Sequence, residues 1–373
     1  MTTPGNWFLA RLAATLLVAA TVLAAPALGQ AAALPRDSTA RVERLADGVY
    51  AIIHDDASDQ WPHSNTGVVM YDGGLLVVDA TYLPSRARAD IALIRALSDK
   101  PVRYLINTHW HMDHTYGNEA YRDAFPDVVI VTERQTRELT ELNSHYWARF
   151  STAPGSPRRI SVRELEAELA SGRDSTGRAH SAGEKRRLET VIRQRSNELD
   201  ELGKVRIVVA DQVFDGSMTL RLGKRRIELV DRGRANSPHD VTVYLPGERV
   251  LFTGDILVQS PLPYTGASWP VPWIEVLQGL EKVPVTALVP GHGPVMRDHT
   301  YTRQMRELLQ AVTSGVAAMA RQGKPVEQIQ DSLGLEEVRR KVPAWTGPKQ
   351  DADWDYIRRT VIERAWRGVR GQG

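Results

Sequence analysis

The densest chemistry in the chain lies in seven consecutive residues, Thr108-His109-Trp110-His111-Met112-Asp113-His114. Three imidazoles and a carboxylate fall together in a chain that has ten histidines in all. Such a set suits a metal ion. His109 and His111 stand two apart in an extended stretch, so both side chains leave on one face. Asp113 and His114 follow where the chain turns toward a helix near Gly117-Asn118, and face a second position beside the first. The chain has no cysteine, which excludes disulfides, thiol nucleophiles and thiolate ligands. Any cation must therefore sit on His, Asp, Glu or neutral oxygen. A cation so held lowers the pKa of water from about 15.7 to about 7 and yields hydroxide near neutral pH, which can attack a carbonyl. It also stabilises the oxyanion that forms.

Three further residues belong with this cluster. Asp255 ends the apolar run Leu251-Phe252-Thr253-Gly254-Asp255. A lone buried carboxylate is costly, so it needs a strong partner. His292 sits between Gly291 and Gly293, with Pro290 and Pro294 outside them, and the glycines let the backbone turn tightly and project the ring inward. Asp79 closes the strand-like run 75–79.

The elements that must position these residues read as α/β. Strands are expected at 48–53, 66–71, 75–79 and 102–106, with a helix over 85–98 between the last two. Strands are expected again at 128–131, 212–222, 226–231, 241–245, 249–252 and 287–289, with a helix over 273–282. Ligands in such sheets gather at the carboxyl ends of strands. Residues from about 133 to 205 are strongly charged and place amphipathic helices at 160–169 and 184–202. They read as a solvated helical insertion, or as a lid over the site. From about residue 300 the chain reads as helical.

The N-terminus resembles a cleavable export signal. Arg11 precedes the apolar run 12–27, and Ala27-Leu28-Gly29 offers small residues for cleavage before Gln30. The expected organisation is a signal peptide at 1–29 and one hydrolase-like domain at 30–373, in a periplasmic or secreted setting. A formal charge of +2 is too balanced to imply nucleic acid as a partner. No membrane partner is expected once the signal is removed, and the sequence leaves the oligomeric state open.

The run His109 to His114 matches the HxHxDH signature of the metallo-β-lactamase superfamily. Val77-Val78-Asp79, Leu251-Phe252-Thr253-Gly254-Asp255 and Pro290-Gly291-His292-Gly293 resemble its other motifs in the same order. The resemblance spans about 49–299. It implies a four-layer αββα sandwich with metals at one edge between two sheets. It implies His109 and His111 at one metal, Asp113, His114 and His292 at the other, Asp255 bridging both, and Asp79 supporting them. Zn2+ is the implied cofactor, one ion or two, with iron or manganese as further options. Asp113 would also orient the nucleophile.

One position departs from the pattern. The family's remaining His falls here on Asn236, in Gly233-Arg234-Ala235-Asn236-Ser237, and a His comes three residues later as His239. A carbonyl oxygen is a weaker zinc ligand than imidazole. Three readings follow: Asn236 holds the metal or its water, His239 replaces the missing ligand, or the enzyme runs on one tightly held ion. His63, Tyr264, Trp269 and Trp273 are candidates to line the substrate cleft, the two tryptophans equally as core residues. The expected activity is hydrolysis of a small-molecule ester, thioester, lactone or amide, with β-lactams among the candidates. The alternative is a non-catalytic metal-containing binding protein of the same fold.

Overall fold

The central strands are continuous apolar runs buried on both faces, so one sheet feeds two cores. In a computed structural model that describes residues 34–37, 39–54, 63–259 and 263–371, the chain opens with β1 (Ala40–Ala46), β2 (Val49–His54), β3 (Thr66–Tyr71) and β4 (Gly74–Val78). Helix α1 (Pro84–Leu97) leads to β5 (Val102–Ile106), then to the single turn α2 (Met112–Thr115), α3 (Asn118–Ala124) and β6 (Val129–Glu133). Three helices follow, α4 (Arg134–Thr152), α5 (Pro157–Ser171) and α6 (Ala182–Leu202), before β7 (Gln212–Phe214). The second half comprises β8 (Ser217–Leu222), β9 (Arg225–Asp231), β10 (Val241–Leu245), β11 (Val250–Phe252), α7 (Pro270–Leu280) and β12 (Ala287–Val289). It closes with α8 (Thr300–Arg321), α9 (Val326–Ser332), α10 (Glu336–Arg340) and α11 (Pro348–Val369). The signal segment expected at 1–29 lies outside the described residues. Among those described, no helix is long and apolar enough to cross a membrane.

Strands β1 to β7 form one sheet in sequence order, and β12-β11-β10-β9-β8 form the second. Successive strand side chains point to opposite faces. In the first sheet one face sends Val42, Ile52, Val68, Val77 and Leu105 against Ile91 and Ile94 of α1 and Tyr121 of α3. The other face sends Ile53, Val69, Leu76, Val78 and Ile106 against Leu229, Val243 and Phe252 of the second sheet. The far side of the second sheet, with Tyr244, Leu251 and Leu288, packs on Trp273, Leu277, Leu308, Trp345 and Ile362 of the C-terminal helices. The layers are therefore helix, sheet, sheet, helix. Each buried aliphatic or Phe side chain contributes roughly 1.5–3 kcal/mol, so the three interfaces hold the layers firmly.

The run expected as one strand over 212–222 is two. The turn at Asp215-Gly216 sends β7 to pair with β6 in the first sheet and β8 to pair with β9 in the second. Gly216 takes a positive φ of 65°, a turn conformation that glycine adopts without steric cost. The alternation of apolar residues continues across the break, and so hides it. Helix α4 was not legible either, because its exposed face carries Leu142, Tyr146 and Phe150.

Candidate metal centre

All the motif residues sit where strands end. His109 follows β5 and Asp79 follows β4, its parallel neighbour. Asp255 follows β11 and His292 follows β12, also a parallel pair. A hydrogen bond from Val241 N to the Thr108 carbonyl (2.9 Å) ties the two sheets together at this edge.

Asp79 organises the HxHxDH loop. Its Oδ1 accepts from Thr108 N (2.8 Å), and its Oδ2 accepts from Thr108 Oγ1 (2.8 Å) and from His114 Nδ1 (2.8 Å). Asp79 adopts φ of 60°, a left-handed conformation rare outside glycine. Three hydrogen bonds hold it there, which is how strained backbone persists at functional sites. With Nδ1 donating to Asp79, Nε2 is the His114 nitrogen left for a metal, which would displace its proton.

His109 Nε2 stands 2.9 Å from His111 Nδ1 and 3.7 Å from Asp255 Oδ2. On the other side, His114 Nε2 is 3.5 Å from Asp113 Oδ2 and 3.2 Å from Asp255 Oδ1. His292 Nε2 is 3.0 Å from Asp113 Oδ2 and 3.4 Å from Asp255 Oδ1. These form two ligand groups, His109-His111-Asp255 and Asp113-His114-Asp255-His292, each with its ligand atoms within 4.8 Å of one another. Donors about 2.0–2.2 Å from one tetrahedral cation stand roughly 3.3–3.6 Å apart, close to the spacing of the second group. His114 Nε2 and Asp255 Oδ1 are buried and lack hydrogen bonds. Such orphaned atoms call for a partner. The residues fit a metal ion, and a donor set of imidazole and carboxylate suits zinc, iron or manganese.

Electrostatics agree. Burial, together with the neighbouring His114 and His111, holds His109 well below its ordinary pKa, so it offers a lone pair. Burial works against charge on His292, yet the carboxylates of Asp255 and Asp113 push it up to about 9. Burial opposes charge on Asp113 and Asp255 too, and the imidazoles of His114 and His292 overcome it and hold both carboxylates below their usual range. These two buried carboxylates thus draw positive charge to one spot. The backbone is shaped around them: a Cβ on Gly291 would land on Asp255 Oδ1, and one on Gly254 would come 2.5 Å from Thr108 Oγ1.

Asn236 is almost fully buried, and its Nδ2 donates to the Tyr264 carbonyl (2.8 Å). Its Oδ1 is buried with no hydrogen bond, so only a neutral acceptor atom is left to serve a cation or water. The Tyr264 ring lies 6.2 Å from that of His111 and is 46% exposed, which places it on the open side of the centre. His239 joins neither ligand group. Its Nδ1 bonds Asp231 Oδ2 (2.9 Å) with Glu133 Oε2 at 3.9 Å, and this corrects the expectation that it might replace a ligand. The β9–β10 loop turns its ring toward the β6 side of the sheet seam instead. Trp273 is corrected as well. It is fully buried, and its Nε1 donates to the Ile256 carbonyl (3.1 Å), so it packs the core rather than lining a cleft. Trp269 is half-buried between the guanidiniums of Arg234 and Arg364. His63 contributes its carbonyl, which accepts from His292 Nδ1 (3.1 Å) and leaves Nε2 for a metal.

Two residues were missed. Asn65 Nδ2 donates to the carbonyls of Pro290 (3.0 Å) and Gly293 (2.8 Å) and so clamps the His292 loop. Asp240 is buried, accepts from Ser237 N and bonds its hydroxyl, and burial pushes its pKa up to about 8. Asn65 carries no local sequence signal because it acts across a tertiary contact, and the burial that raises Asp240 is likewise set by the fold.

The metallo-beta-lactamase superfamily model matches residues 59–320. With this fold and this site, the chain belongs to that superfamily of metallo-hydrolases. It is 24% identical over 226 residues to a linear primary-alkylsulfatase of Pseudomonas sp. (strain ATCC 19151), covering 59% of this chain and 39% of the other. A metallo-beta-lactamase from Pontibacter korlensis superposes with a TM-score of 0.52 at 19% identity, over 73% of this chain and 99% of that one. A double mutant of a sec-alkyl sulfatase superposes with a TM-score of 0.60 at 14% identity, over 88% of this chain and 50% of that one. The chain thus spans half or less of each sulfatase relative.

Proposed function

We propose that the protein is a metal-dependent hydrolase that opens an ester-type bond (ester, thioester, lactone or amide) with activated water. The observation that carries this reading is the placement of Asp255. Its Oδ2 faces His109 and its Oδ1 faces His114 and His292, so one carboxylate serves both ligand groups. Bound at these groups, divalent metal would acidify water and polarise the scissile carbonyl. The chain's own residues set the geometry. Asp79 fixes the His114 ring, and the His63 carbonyl fixes the His292 ring. The Asp113 side chain is 11% exposed, against 7% for Asp255 and 3% for Asp79. It is the carboxylate solvent reaches most readily, and so the one placed to accept a proton from incoming water and orient it. Asn236 presents Oδ1 as a further acceptor.

A second reading replaces the carbonyl centre with the sulfur of a sulfate monoester. The sequence match to a linear primary-alkylsulfatase supports it. We further propose that the protein is exported, on the strength of the apolar run after Arg11.

A panel of p-nitrophenyl esters, a lactone, p-nitrophenyl sulfate and a chromogenic cephalosporin, assayed with zinc, iron or manganese loading, tests the reading. Turnover that chelation abolishes and metal restores is the expected result. Full metal occupancy with no turnover of any class would favour a binding protein of the same fold.

A further inference from the structure

The inserted helices α4, α5 and α6 border a partly open cavity of about 290 Å³ whose wall includes Met112, Trp147, Phe150, Pro157 and Leu199. Much of its polar lining pairs within the wall itself, while Arg195 Nε has no hydrogen bond. Arg158 donates to the Glu198 carboxylate (2.5 Å) and the Tyr82 hydroxyl (2.8 Å), and Arg195 Nη1 donates to Ser161 (2.7 Å). The surface offered to an occupant is therefore chiefly thioether, aromatic and aliphatic. Trp147 packs edge-on against Phe150, with ring centroids 5.6 Å apart, so the aromatic part of the wall is braced.

The cavity shares one residue with the loop that carries the candidate ligands. Met112, on its wall, is the residue between His111 and Asp113. Tyr82, which receives Arg158, lies 6.1 Å from the His63 ring, and the His63 carbonyl holds His292. The cavity size falls near the lower end of the roughly 300–1,000 Å³ typical of ligand sites.

Resting on the hydrolase reading above, we infer that this cavity is a subsite for the apolar chain of the substrate, so that the enzyme acts on esters carrying a medium-length aliphatic group. Each buried methylene gains about 4-fold in binding. The test uses the full-length, metal-loaded protein and the p-nitrophenyl esters of acetate, butyrate and octanoate, which share one leaving group. Octanoate is expected to exceed butyrate in kcat/KM by about 10-fold or more. Trp147→Ala and Phe150→Ala should bring that ratio toward one. Leu142→Ala, which alters an α4 side chain 74% exposed and outside the cavity wall, should leave it as it is. The inference is overturned if the short esters are turned over with no gain for octanoate, or if the gain survives in both cavity variants. Should no ester be turned over, calorimetry with octanoate and acetate decides. Octanoate binding that Trp147→Ala weakens keeps the subsite and sinks the hydrolase reading, whereas octanoate binding no tighter than acetate sinks the subsite as well.

Discussion

Asp79 Oδ2 lies 2.8 Å from His114 Nδ1 while the same carboxylate holds both the amide and the hydroxyl of Thr108. One side chain thus orients one candidate ligand and fixes the path of the loop that carries three others. Partners of this kind typically cost about 10–100-fold in metal affinity or activity when lost. Asp79→Asn is expected to weaken metal binding by about that factor with the circular dichroism spectrum unchanged. Equal affinity for variant and parent, measured by chelator competition, would show that Asp79 does not support the site.

Gly291 and Asp255 meet so closely that a methyl on the first would occupy the position of the second's carboxylate oxygen. Gly291→Ala should therefore displace Asp255 and lower metal content at both ligand groups. The check is metal stoichiometry by mass spectrometry on purified protein. A variant that keeps the parent's stoichiometry would contradict the shared role of Asp255.

Metal affinity should rise with pH. In the metal-free protein His292 holds its proton up to about pH 9, through Asp255 and Asp113, and a metal must displace that proton. Below pH 9 each proton released gives up to about 10-fold tighter binding per pH unit. Against the effect of burial, the carboxylates of Asp79, Asp255 and Asp113 likewise raise His114 well above its ordinary value, so affinity titrated between pH 6 and 9 is expected to climb throughout. A flat profile would mean that His292 is not a ligand.

Asp240 predicts a pH-dependent stability of the metal-free protein. Its folded pKa is raised to about 8 by burial, so between its unfolded value near 4 and pH 8 the folded state binds the extra proton. Stability then falls as pH rises across that window. Asp240→Asn mimics the protonated side chain and can keep both contacts to Ser237. The loss of Tm from pH 5 to pH 8 should be smaller in this variant than in the parent, and identical slopes would count against a protonated Asp240.

Much of the site was legible from local chemistry. The HxHxDH run, the Asp255 motif and His292 between two glycines announce candidate donors by residue type and spacing, and the fold brings them together. The strands on either side were legible from runs of β-branched residues between turns. What the sequence could not supply was direction across space. His239 offered the same imidazole as a missing ligand, and its hydrogen bond to Asp231 only exists once β9 and β10 pair. Trp273 read equally as wall or core until α7 lay on the second sheet. Asn65 had no motif at all, since it answers backbone groups that a distant segment delivers.

The amino-acid order by itself determined the donor set and the continuous apolar runs that bury both faces of the first sheet. The tertiary structure alone decided which donors converge, that Asp255 stands between two groups, and that the inserted helices wrap a cavity beside Met112. The reason is physical. Ligand identity is a property of single residues, whereas a 3 Å separation between residues more than a hundred positions apart is set by how sheets pack.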